Sequence, residues 1–380
     1  MKKHPGIGSV VLGLFLSVLF PLGAEEIGLS LNSKTQADFF QGTGSASGFH
    51  YGAEEYANLR LRAPIRDQGV FYGAFNLTAA AGSSAAALAA AGHNAAGVNY
   101  AWAIELERLY LHLNGDALVW EAGLLRIPFG YSPAWGPADF LNPRNPLQPA
   151  SRPRAALGTV LFAYPGPSTK LALYAAAPKE AAGTRGGGAR FGLSAEGHTN
   201  WGSFQGLYFF EAPSSDYPRG LHRGGLSVKA DWVLTFFAEA LYQGNPENPD
   251  FAKNLAASLG ADYSLPGGSV LLTAEYLYSG LLSSTAALGR GKNHYLNFTA
   301  VYLINDWAGL TFSCTAGLED LSFLPTLAFS YELFQGLTFS LSALVPLDKK
   351  TFNSGNSAGE LGPETLGRTF QVTAGAELRY

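Results

Sequence analysis

Short stretches of this chain alternate apolar with polar or small residues at a period of two. In residues 58–65, Leu59, Leu61, Ala63 and Ile65 share one parity, while Asn58, Arg60 and Arg62 take the other. Residues 71–79 set Phe71, Phe75, Leu77 and Ala79 against Tyr72, Asn76 and Thr78. Residues 187–196, 296–304, 309–318 and 337–345 follow the same rule. Successive side chains of a strand point to opposite faces, so this period predicts strands with one apolar face each. A slip of one residue would exchange the two faces, so the pattern also fixes register. Alternation fits a sandwich, whose apolar faces meet in a core, and equally a barrel, whose apolar faces meet lipid.

The links between strands separate these two readings. Tight links fall at 66–69, 114–116, 165–168, 197–199, 231, 266–268, 305–306 and 334–336. Longer ones fall at 41–53, 82–98, 128–156, 178–186, 213–220, 244–253, 280–292 and 347–365, with a short link near 318–320. Short and long links interleave along the chain, as the periplasmic turns and outer loops of an outer-membrane barrel do. The expectation is an all-β, transmembrane, antiparallel up-and-down barrel of about 18 strands, with 16 as the alternative count. Both termini then lie on the periplasmic side.

Composition agrees. Charged residues make up 14% of the chain, against about 25% in soluble domains. Glycine (46) and aromatics (13%) are plentiful, and no apolar run after residue 24 is long enough for a spanning helix. Lys2, Lys3 and His4 precede an apolar run from Ile7 to Leu22, followed by Gly23 and Ala24. This is the pattern of a secretory signal peptide at residues 1–24, which leaves 25–380 as the barrel domain. Its removal takes Lys2 and Lys3 and moves the formal charge from −4 to −6. Neither value, nor the scatter of basic residues, indicates a nucleic-acid partner. The single cysteine, Cys314, suits an apolar membrane position better than a redox role.

Residues 124–157 interrupt the alternation. Seven of the 21 prolines lie here: Pro128, Pro133, Pro137, Pro143, Pro146, Pro149 and Pro153. Proline lacks a backbone donor, so no helix or sheet interior passes through this density. Trp135, Phe140 and Leu141 give the loop apolar anchors, which disordered segments lack. The expectation is a third outer loop folded inward to narrow a pore, with Arg126, Trp135, Asp139, Arg144, Arg152 and Arg154 at the constriction. The competing reading is a surface loop without a special role. Residues 79–91 hold nine alanines, which allows a short helix at the pore mouth or a low-complexity loop.

The segment EAGLLRIPFG (121–130) resembles a strand-and-turn element of phosphate-selective-type porins. The following ADFLNPRNPL (138–147) is similar to an Asn-Pro-rich loop of several outer-membrane porin-like families. The resemblance implies a porin-like barrel and a general pore function. It does not imply phosphate selectivity, because this chain lacks the abundant lumen arginine and lysine of those proteins. The last strand alternates from Phe370 to a terminal Tyr380, which resembles the signal read by the barrel-assembly machinery of bacterial outer membranes.

Alternation points Arg60, Arg62, Glu105, Arg190, Glu239, Asp262, Glu275 and Glu377 into the lumen, since charge on a lipid face is costly. Later acidic positions (Glu239, Asp262, Glu275) would then face a basic loop across the waist. The seven histidines are scattered, and no nucleophile elbow, His-Glu-x-x-His or Cys-x-x-Cys occurs. No metal, cofactor or catalytic site is therefore expected. The function indicated is a porin in the bacterial outer membrane, passing small polar solutes by passive diffusion. Its other partners would be outer-membrane lipid and possible further copies of the chain. The alternative is a surface adhesin or structural barrel without an open pore.

Overall fold

The computed structural model describes residues 27–44, 47–90, 94–95, 99–142, 155–177, 188–214, 217–244, 250–281, 293–352 and 359–380. The strands in chain order are β1 (Gly28–Gly42), β2 (Gly48–Ile65), β3 (Gly69–Gly82), β4 (Asn94–Ala95), β5 (Tyr100–Asn114), β6 (Leu118–Leu125) and β7 (Ala156–Gly166). β8 (Thr169–Ala176), β9 (Arg190–Thr199), β10 (Gly202–Glu211), β11 (Leu221–Asp231), β12 (Thr235–Gly244) and β13 (Leu255–Ser264) follow. β14 (Val270–Ser279), β15 (His294–Leu303), β16 (Ala308–Gly317), β17 (Ser322–Phe334), β18 (Leu337–Leu344) and β19 (Arg368–Arg379) complete the set. Three short helices are α1 (Ser83–Ala90), α2 (Lys349–Phe352) and α3 (Pro363–Leu366).

Each strand pairs antiparallel with its neighbours, and β1 pairs with both β2 and β19. The sheet therefore closes, and closure removes the unpaired edges of an open sheet. β3 bonds directly to β5, while the two-residue β4 adds only to the end of β5. The wall thus has 18 staves, the larger of the two anticipated counts.

Parity decides what each face meets. Residues such as Leu59, Leu77, Ile104, Leu173 and Leu226 are exposed on the outer face. Their even-and-odd counterparts Asn58, Asn76, Ser194, Gln205 and Ser227 are buried on the inner one. Trp201, Trp232 and Trp307 are exposed at the short-link end, and Tyr51, Tyr100 and Trp102 towards the other. An apolar band between aromatic girdles is the surface a bilayer requires. Cys314 faces outward beside Phe298, half-buried, as the apolar reading anticipated.

Two boundaries differ from the sequence reading. Residues 48–53 do not belong to a long first loop: they extend β2 against β1 through Phe49–Gln41 and Tyr51–Phe39 pairs. Polar and glycine residues there obscured the period. The alanine-rich stretch divides, its first residues completing β3 and Ser83–Ala90 forming α1. Ser83 and Ser84 sit over Gly52, where a Cβ would collide with the Ser84 hydroxyl. Ala80, Ala85 and Ala101 bury together, so α1 rests against the inner wall near the mouth. Residues 1–24, expected from the sequence to be a signal peptide, lie outside the described residues.

Candidate functional site: a loop clasped inside the barrel

A segment without regular structure must still place its backbone donors. In residues 126–142, Pro128, Pro133 and Pro137 have none to place. Ile127 N–H donates to Asn142 Oδ1 (2.8 Å), which closes the loop's base. Gly130 N–H donates to Gln205 Oε1 on β10 (2.9 Å). Tyr131 and Ser132 N–H both donate to Glu239 on β12, and Ala138 N–H reaches its other oxygen at 3.4 Å. Ala134 and Trp135 N–H donate to Glu275 on β14 (3.0 and 3.2 Å), joined by the Ser132 hydroxyl. The chain turns back on itself through Gly136 N–H to Ser132 Oγ (3.1 Å) and Asp139 N–H to Gly136 O (2.9 Å).

Two wall carboxylates are thus enclosed by loop donors. Glu239 is 3% exposed and Glu275 is fully buried. Burying a carboxylate costs several kcal/mol unless its lone pairs are satisfied; hydrogen bonds to a charged group return about 1.5–3 kcal/mol each. Convergent backbone N–H groups make an anion-binding concavity of this kind. Gly130 is required by the fit. Its φ is +83°, and a Cβ there would run into the Glu239 carboxylate.

The rest of the loop is held by apolar contact. Leu125, Ile127, Phe129, Ala138 and Leu141 bury against Val160, Tyr174, Leu207, Phe209 and Leu241 of the inner wall. Phe129 meets Tyr174 and Phe209 edge-on (5.4 and 5.6 Å), and Phe140 meets Phe209 likewise at 4.9 Å. Each fully buried side chain of this size contributes about 1.5–3 kcal/mol. Arg223 stacks over Phe140 at 5.0 Å while binding Glu211 at 2.8 Å, and Arg190 binds the same carboxylate at 3.1 Å.

A second outer loop covers the far end. Trp135 packs on Tyr295 (5.8 Å) with Leu277, Leu324 and Leu361. The Tyr295 hydroxyl donates to Glu360 (2.6 Å). Leu361 is held by its N–H to Ser322 Oγ (3.2 Å). Gly359 N–H and the Thr351 N–H and hydroxyl all donate to Asp348 at 2.8 Å. Burial opposes ionisation of Asp348, but these donors outweigh it and hold its carboxyl below the usual value.

The described part of the loop, residues 126–142, therefore lies along the wall from β7 to β17, and the opposite side is built by β2, β3 and β5. There the inward rows run Asn58–Asn76–Glu105, Arg60–Ala74–Arg108 and Arg62–Tyr72–Tyr110. Arg60, Arg62 and Glu105 are exposed. A bulge opposite Ala74 and Phe75 makes Glu107 an extra residue, and its carboxylate accepts from Asn58 (2.8 Å). Arg60 Nε donates to Asn58 Oδ1 (2.6 Å).

All eight anticipated wall residues take the inward parity, but their surroundings differ. Arg60, Arg62 and Glu105 are exposed, whereas Glu239 and Glu275 lie beneath the loop. Arg190 is tied to Glu211, Asp262 is half-buried on β13, and Glu377 accepts from Asn32 and Arg379 (both 2.9 Å). At Glu239 and Glu275 the acidic wall meets backbone donors of the described part of the loop. Trp135 (7% exposed) and Asp139 (5%) are buried, and Arg126 stands half-buried at the loop entry. Arg144, Arg152 and Arg154 lie outside the described residues. Phe370 packs on Phe39 (5.7 Å), and Tyr380 exchanges backbone hydrogen bonds with Leu31 (both 2.9 Å), which joins the terminus to β1. Gln205, Glu211, Arg223 and Asn142 were not anticipated. Inward parity alone would have singled out the first three.

No protein-family model matches this sequence, and no curated protein does. Solved structures match its fold along nearly the whole chain. Acinetobacter baumannii OccAB4 is 11% identical with a TM-score of 0.58, covering 95% of this chain and 99% of that one. A BenF-like porin from Pseudomonas fluorescens Pf-5 is 6% identical with a TM-score of 0.60, covering 94% and 99%. Pseudomonas aeruginosa OccK7 (OpdD) is 9% identical with a TM-score of 0.54, covering 93% and 98%.

Proposed function

We propose that this chain is a porin of the bacterial outer membrane, a passive channel for small hydrophilic solutes narrowed by its Pro-rich loop. The supporting observation is the clasp of residues 130–138 on Gln205, Glu239 and Glu275 inside a closed barrel. A loop fixed to one side of a lumen reduces its width and leaves a defined passage along the other. The shared architecture with a BenF-like porin supports the same reading.

In this reading a solute passes between the loop and the side of the barrel built from β18, β19, β1, β2, β3 and β5. Arg60 and Arg62 face it, with Glu105 nearby. Charges at a narrow waist set selectivity, and they act over about 8 Å at physiological salt. Glu239 and Glu275 hold the loop in place, so the loop's own arginines and the β2 arginines set the balance of charge. Lipid surrounds the outer wall, and the terminal strand engages the assembly machinery.

A competing reading, a closed structural barrel or adhesin, draws on the packed half of the interior. Purified protein in planar bilayers separates the two. Step conductances with the wild-type chain support the channel, and a silent bilayer with correctly folded protein rejects it.

A further inference from the structure

The outward face near the long-link rim carries one arrangement twice. On β10, Tyr208 and Phe210 point outward two residues apart, and His222 on β11 pairs across from Phe210. On β14, Tyr276 and Tyr278 do the same, and His294 on β15 pairs across from Tyr278. Both histidines have the parity of exposed outer-face leucines, Leu226 and Leu296. The Tyr208 hydroxyl meets His222 Nδ1 at 2.6 Å, and the Tyr276 hydroxyl meets His294 Nδ1 at 2.5 Å. The second ring flanks each imidazole, Phe210 at 5.1 Å and Tyr278 at 5.3 Å.

These contacts fix where the proton sits. Neither hydroxyl has another acceptor among the described residues, so each donates to Nδ1. The proton of a neutral imidazole is then on Nε2, and a charged imidazole carries one on both nitrogens. In either state Nε2 is a donor, and among the described residues it has no partner. On the outer face of a barrel such a donor is satisfied only at the rim, by headgroups or water.

Positive charge stands beside both histidines. Gly220 N–H donates to Tyr217 O (2.9 Å), which closes a turn with Arg219 exposed at its third position. The turn seats on the ring beside His222: a Cβ at Gly220 would meet Phe210 at 2.8 Å. Arg219 has no partner among the described residues. The Tyr278 hydroxyl donates to Ala252 O (3.0 Å), which brings the turn holding the exposed Lys253 onto the ring beside His294. Here Asp250 engages Lys253 (3.4 Å), and Glu319 accepts from the N–H of Asn293 (2.8 Å), so this second place is less positive than the first.

We propose that this sector of the rim, on β10, β11, β14 and β15, binds phosphate groups of the surrounding lipid leaflet. His222 Nε2 and the Arg219 guanidinium take one phosphate; His294 and Lys253 form a second, weaker place. A guanidinium and an N–H donor suit phosphate oxygens through charge-assisted hydrogen bonds. Basic groups at headgroup depth read the phosphate of a lipid rather than its chains. The inference rests on the membrane placement of the barrel.

Native mass spectrometry of the full chain in mild detergent tests it, with phosphatidic acid as probe and diacylglycerol of the same chains as its phosphate-free match. Wild type is expected to hold phosphatidic acid at least about tenfold more tightly, the scale of a hydrogen bond to a charged group. Arg219→Gln combined with His222→Phe should remove most of that preference, with heat-modifiable folding retained. His294→Phe should remove less. Tyr51→Phe, in the rim on β2, should change nothing. Equal binding of the two lipids overturns the proposal, as does an unchanged preference in the Arg219→Gln, His222→Phe variant. Equal losses in Tyr51→Phe would assign the effect to the whole aromatic rim and overturn it too. Displacement of the lipid by inorganic phosphate alone rejects a lipid as the source of the phosphate. Should the double variant fail to assemble, the Nε2 resonance of His222 in the ¹⁵N-histidine-labelled wild type decides: phosphatidic acid is expected to shift it and diacylglycerol to leave it in place, and the same response to both overturns the proposal. Conductance of the same preparations reports the channel reading separately, so failure of one is distinguishable from failure of the other.

Discussion

At the scale of single residues, Glu239 and Glu275 show how one side chain acts on a whole segment. Both collect N–H groups that the loop's irregular path leaves without a ladder. Glu275→Ala removes the acceptor for Ala134, Trp135 and the Ser132 hydroxyl, and each unmet buried donor costs about 1–3 kcal/mol. Amide exchange at Ala134 and Trp135 should accelerate by about a hundredfold or more, with the β-sheet spectrum unchanged. Unaltered exchange would show that the apolar anchors alone hold the loop. Cysteine scanning tests the same geometry in a Cys314→Ala background. Arg60→Cys should react with membrane-impermeant thiol reagents, and Leu59→Cys should stay protected by lipid. Labelling at Leu59→Cys with protection at Arg60→Cys would reverse the register.

At the scale of elements, the Pro-rich segment is shaped as much by what it lacks as by what it contains. Its prolines remove donors that the wall would otherwise have to satisfy, and its aromatics fill the side of the barrel that carries Tyr174 and Phe209. Deleting residues 138–149 removes Leu141 and the Asn142 tie at the loop's base, so single-channel conductance should rise. Unchanged conductance would place the loop outside the conducting path. Arg144→Glu combined with Arg152→Glu should shift the reversal potential towards cations, if those arginines face the passage. A reversal potential that stays put would assign selectivity to β2 and β5 instead.

At the scale of the whole molecule, closure of β1 onto β19 converts an otherwise exposed edge into eleven residue pairs, ten of them continuous from Asn32–Arg379 to Gln41–Phe370. A closed barrel of this kind should fractionate with outer membranes, give a β-type circular dichroism spectrum in detergent, and migrate differently before and after boiling. A mainly helical spectrum would contradict the fold. Loss of Tyr380 removes the exchange with Leu31 at the seam and should reduce the yield of assembled barrel, read as the fraction in the heat-modifiable form.

The sequence by itself determined the wall. Period-two alternation, interleaved link lengths and scarce charge leave little besides a closed antiparallel barrel, because each is a local property imposed by strand geometry and by the medium on each side. It also fixed parity, and hence which charges point inward. What it left open is what those charges meet. Glu239 and Glu275 read from the sequence like Arg60, as inward charges on a wet wall. Their burial depends on residues more than 100 positions away in the chain, arriving as backbone donors with no side-chain signature. Local periodicity specifies the elements; the environment of a side chain is a property of contacts between distant ones, and only the tertiary structure decides it.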